Sequence, residues 1–103
     1  MQLSNKDTKI VVQALLELQE GCLRDSKYIG SVLEELWGCI AHKSTAVLEP
    51  RGIELSIEGL GLLITKYQQA VDTTPSKQSE VKTLLEDITY LTTMRDYFQS
   101  YNP

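Results

Sequence analysis

Cys22, Cys39 and His42 are the side chains best suited to covalent or acid–base catalysis. A thiolate attacks electrophilic carbon and an imidazole can take the thiol proton, so either cysteine with His42 would describe a small hydrolase. The spacing supplies no recognisable catalytic motif. His42 falls where a helix is expected to end, and a partial positive charge there suits the terminal carbonyls. The cysteines lie 17 positions apart, with no CxxC pair and no second histidine, so the pattern indicates neither a metal centre nor a redox pair. Free, buried thiols are expected, and a disulfide would require their Cβ atoms to face one another.

Carboxylates recur as Glu34-Glu35, Glu54/Glu58 and Glu86-Asp87. Neighbouring residues diverge on a helix, and Glu54 and Glu58 share a face only if helix begins before them, so these groups read as solvated surface. Gly59-Leu60-Gly61 lacks the lysine and hydroxyl that complete a phosphate-binding loop, and close packing or a frayed helix start explains it better. The sequence therefore assigns no catalytic residue, cofactor or metal ligand.

Recognition chemistry is more concentrated. Tyr90, Arg95, Tyr97, Phe98 and Tyr101 crowd into twelve positions. Leu91 and Phe98 fit an inward helical face, and the tyrosines extend around its edge, where a ring offers apolar contact and its hydroxyl a hydrogen bond. The Arg95 stem can cover the core edge while its guanidinium reaches water. Arg51, between Pro50 and Gly52, could be displayed by a turn. Arg51, Tyr90, Arg95, Tyr97 and Tyr101 are the expected interaction residues.

Hydrophobic periodicity defines the elements that must position these groups. A first helix is expected over about 5–23, entered through Leu3 and the cap Ser4, with Val11, Leu15, Leu18 and Cys22 on one face. Val12 and Leu16 widen that stripe, which favours more than one helical neighbour. A second helix over about 27–41 carries Ile29, Val32, Leu33, Leu36, Trp37 and Ile40. Residues 43–56 read as a connection with local structure, because Pro50 and Gly52 interrupt the pattern. A third helix is expected over about 56–72, either regular throughout or bent or delayed at Gly61. A fourth starts at Thr74-Pro75 and runs to about Tyr97.

Four such segments predict an all-α fold, a compact antiparallel four-helix bundle formed by residues 1–103 as one domain, with room for a short fifth helical turn in the central connection. Leu, Ile, Val and Phe total 29 of 103 residues, enough for one modest core without a metal or disulfide staple. Fourteen acidic residues against ten basic ones and no cationic cluster argue against a nucleic-acid partner. No apolar run approaches the roughly 20 residues needed to cross a bilayer, and polar residues interrupt any signal-like N-terminal segment. A soluble cytoplasmic protein without membrane insertion is expected. The functional expectation is a small non-enzymatic protein–protein interaction module, an adaptor, inhibitor or regulatory protein. A homo-oligomeric structural protein, as a homodimer for instance, is the first alternative, and the cysteine or histidine hydrolase is the second.

Overall fold

The computed structural model describes residues 1–21, 25–73 and 78–101. Its elements follow the order β1 (Gln2–Leu3), α1 (Asn5–Gly21), α2 (Ser26–Ala41), β2 (Ala46–Val47), α3 (Pro50–Thr73) and α4 (Gln78–Tyr101). The fold is an all-α four-helix bundle, supplemented by a two-residue antiparallel ribbon in which Gln2 faces Val47 and Leu3 faces Ala46. The Leu48 amide donates to the Met1 carbonyl at 2.9 Å and extends this tie.

Helix α1 starts as its sequence dictates. The Asp7 amide donates to the Ser4 Oγ at 3.2 Å, so Ser4 satisfies one of the orphan N–H groups of the first turn. Buried Thr8 donates its hydroxyl to the Ser4 carbonyl at 2.7 Å, which removes the cost of an unpaired polar group. The wide stripe of α1 buries Val11, Val12, Ala14, Leu15 and Leu18, and α1 packs on both α2 and α3.

Helix α2 closes with a Schellman arrangement. The Lys43 amide donates to the Ile40 carbonyl at 3.2 Å, and the Ser44 amide to that of Cys39 at 2.9 Å. Lys43 supplies the left-handed residue at φ 54°, a conformation that a residue with a Cβ adopts at a cost. His42 is the exposed C-cap.

The central connection differs most from expectation. The helical turn expected there exists, but it is the beginning of α3 and not a separate fifth helix. The Ile53 amide donates to the Glu49 carbonyl at 2.9 Å, which places Pro50 in the first helical position. Proline is tolerated there because its missing N–H would have no intrahelical partner and its φ is already helical. Ile53 and Leu55, although separated by the polar Glu54, are therefore helical and buried. Helix α3 is continuous from Pro50 to Thr73, so its start is not delayed to Gly61. The expected cap of α4 at Thr74-Pro75 lies outside the described residues, and the helix extends past Tyr97 to Tyr101.

Gly59 permits a close approach of α1 and α3. A Cβ at this position would stand 2.3 Å from the Ala14 carbonyl oxygen, so α1 and α3 meet there nearly backbone to backbone. Around that crossing the core gathers Leu15, Leu18, Ile29, Leu33, Leu60, Leu63 and, from α4, Leu91, Met94 and Phe98. The Lys66 Nζ meets the Glu17 Oε1 at 2.6 Å at the rim of the same pair of helices, and this hydrogen bond with its charge raises the Lys66 pKa.

Helix α4 packs on α3 and makes no comparable backbone contact with α1. The resulting body measures 40 × 29 × 29 Å with a radius of gyration of 14.1 Å. A compact chain of this length would have a radius of about 13 Å, and the difference reflects the elongation along one axis. Among the described residues, no helix is long and apolar enough to cross a membrane.

Candidate functional site

Because α1 and α4 lean separately on α3, a trough lies between them. It has two compartments that share Tyr90. The upper one, about 470 Å³, is lined by residues that include Lys6, Ile10, Tyr67, Glu86, Asp87 and Leu91. The lower one, about 350 Å³, is lined by Leu3, Asp7, Thr93, Met94, Tyr97 and Phe98 among others. Strand β1 contributes to the lower wall because its pairing with β2 holds Leu3 beside the start of α1.

Tyr90 is the divider. Its hydroxyl donates to the Asp7 Oδ1 at 2.5 Å, and the Lys6 Nζ lies 4.4 Å from its ring centroid. One α4 side chain thus engages two successive α1 residues, one through its polar tip and one through its π-face. The hydrogen bond to Asp7, with smaller contributions from burial and the carboxylate charge, raises the phenol above its ordinary pKa of 10.0.

Beyond Tyr90, the aromatic residues divide by helical face. Phe98 is 1% exposed and Met94 7%, whereas Tyr97 is 59% exposed and Tyr101 49%. The Tyr97 ring centroid stands 6.3 Å from that of Phe98 and 6.4 Å from that of Tyr101, so the exposed rings continue directly from the buried one. Positions 90, 94, 97 and 101 follow the spacing of one helical stripe. The surface is consequently an aromatic edge with a buried apolar floor.

Arg95 lies off this stripe, roughly 140° around α4 from Tyr90 at about 100° per residue, and lines neither compartment. It is half-buried, and its Nε is enclosed without a hydrogen-bond partner, so desolvation reaches the guanidinium and not only the aliphatic stem. Arg51 is elsewhere. It stands in the first turn of α3, where its Nη2 meets the Asp25 Oδ1 at 2.5 Å and its guanidinium carbon lies 4.4 Å from the Tyr28 ring centroid. Burial and the charge of Glu49 raise the Tyr28 pKa, while Arg51 opposes them. The structure therefore brings Tyr90, Tyr97 and Tyr101 onto one helical edge, leaves Arg95 off that edge, and places Arg51 in an intramolecular clamp between α2 and α3.

Sequence reasoning did not identify Lys6, Asp7, Glu86, Asp87 or Met94 as surface partners of those tyrosines. Glu86 and Asp87 are adjacent and were expected to diverge, yet both border the upper compartment because it is broad enough to meet two faces of α4. Capping had already identified Asp7 near the start of α1, but only packing reveals that α4 crosses beside it. Glu54 and Glu58 do share a face of α3, and both are exposed.

His42 is exposed after α2, and Cys39 is a half-buried free thiol whose Sγ lies 4.0 Å from the Thr45 carbonyl oxygen. Cys22, and with it any pairing with Cys39 or His42, lies outside the described residues. Among the described residues, no group of three or more His, Cys, Asp or Glu side chains is disposed to hold a metal ion. No protein-family model, curated protein or solved structure matches this chain.

Proposed function

We propose that the chain is a small non-enzymatic protein–protein interaction module, acting as an adaptor, inhibitor or regulator, and that its contact surface is the α1–α4 trough with the tyrosine edge of α4. The observation carrying this reading is the exposure of Tyr90, Tyr97 and Tyr101 on one stripe above buried Met94 and Phe98. Aromatic side chains with fixed backbones lose little conformational freedom on binding, and their rings contribute large contact areas. A bundle that needs α4 only for closure would gain nothing from directing Tyr97 and Tyr101 to water beside a Tyr90 already bonded to Asp7.

The test joins binding to folding. Tyr97→Ala and Tyr101→Ala together should reduce recovery of a specific partner from the native source at least tenfold, with helicity and Tm retained. Unchanged recovery of the same partner would remove this surface from the contact. Sedimentation at twice the chain mass, reversed by the same substitutions, would instead assign the edge to self-association.

A further inference from the structure

We infer that the trough receives a basic amphipathic helix of a partner protein. This rests on the preceding reading of the α1–α4 surface and specifies its occupant. The lower compartment has mainly apolar walls and a floor containing Met94 and Phe98, which suits aliphatic or aromatic anchors. The side chains charged at neutral pH that border the two compartments are Asp7, Glu86 and Asp87 against Lys6. Three carboxylates facing one ammonium favour a cationic partner, and the formal charge of -4 on the whole chain acts in the same direction at longer range.

The shape selects a helix over an extended segment. From Glu86 to Phe98 the trough follows α4 for about 18 Å at 1.5 Å per residue, the length of about three helical turns. Strand β1 contributes only Gln2–Leu3 as a backbone edge, too little for a continuous ladder. Side chains must therefore provide most of the contact, and a helix presents them in one stripe at positions three and four apart. Apolar anchors of the partner would occupy the lower compartment, while a flanking lysine or arginine would lie against Glu86 and Asp87. Lys6 over the Tyr90 ring already places an alkylammonium group against an aromatic face within this surface.

The experiment uses a displayed library of helical 14-residue peptides selected on the intact chain. Selected peptides should combine an apolar stripe with flanking Lys or Arg, and should weaken with added salt. Their affinity should fall about tenfold or more against Glu86→Lys/Asp87→Lys and against Tyr97→Glu. All three substituted positions are exposed, and circular dichroism verifies that helicity is kept. Binders that require Tyr97 but lack basic residues, and that tolerate the charge reversal, would overturn the basic-helix inference while leaving the contact surface in place. Binders indifferent to all three positions would overturn both. Failure to select a helical binder, or closure of the trough by a second copy, would also overturn the inference.

Discussion

The carbonyl oxygen of Ala14 occupies the place that a side chain on Gly59 would need: an added Cβ would lie 2.3 Å from it. This contact brings α1 and α3 together at the centre of the bundle. Helix α4 is supported mainly by α3.

Gly59→Ala should destabilise the chain by about 1–3 kcal/mol, because the backbone must move and the resulting strain exceeds the helix-propensity gain. Gly61→Ala, two positions along the same helix with nothing within 4 Å of the added Cβ, should stabilise it by about 0.5–1 kcal/mol. Chemical denaturation of both variants checks the contrast. Equal stabilisation by the two substitutions would show that the helices do not approach so closely at Gly59.

At the end of α2, Lys43 adopts φ 54° where glycine carries no side-chain penalty. Lys43→Gly should increase stability by about 0.5–1 kcal/mol, measured as a shift in the denaturation midpoint without a changed slope. A decrease would contradict the left-handed cap.

The link from Tyr90 to Asp7 predicts an alkaline dependence. The folded-state pKa of Tyr90 is raised, so the stabilisation from its protonated hydroxyl is fully present below the unfolded value near 10 and is lost as pH rises through the folded value. The stability difference between the natural chain and Tyr90→Phe should hold steady from pH 7 to 9 and shrink above that range. A difference constant through pH 11 would contradict the hydrogen bond. Absorbance near 295 nm should independently show delayed ionisation of this phenol relative to Asp7→Ala.

Buried and exposed aromatic residues of α4 should separate stability from recognition. Phe98→Ala should cost about 3–5 kcal/mol because it leaves a cavity in the core. Tyr101→Ala should change stability by less than about 0.5 kcal/mol, since its ring is mostly in water. Thermal unfolding of the two variants provides the comparison. A large loss in Tyr101→Ala would return that ring to the core.

Hydrophobic period made α1 and α2 legible: their starts fall within one residue of the expected positions, and the wide α1 stripe correctly implies two helical neighbours. Pro50 was misleading because the same residue can interrupt a helix or open one, and only the Glu49 carbonyl bond distinguishes these roles. The β1–β2 ribbon was not legible, since two-residue strands have no measurable alternation. Within the candidate site, the tyrosine stripe followed from spacing along α4. Its facing groups on α1 did not, because Lys6 and Asp7 meet Tyr90 only through tertiary packing. Arg51 was expected on a turn, but it stands in the first turn of α3, more than half exposed beside Asp25 and Tyr28.

The most direct measurement is an amide chemical-shift map of the isotopically labelled chain during titration with a selected basic helical peptide. The largest changes should fall within residues 2–13 and 86–101, with those around Trp37 on α2 nearly unchanged. A map centred on α2 and β2, with residues 86–101 unmoved, would contradict recognition through the α1–α4 trough.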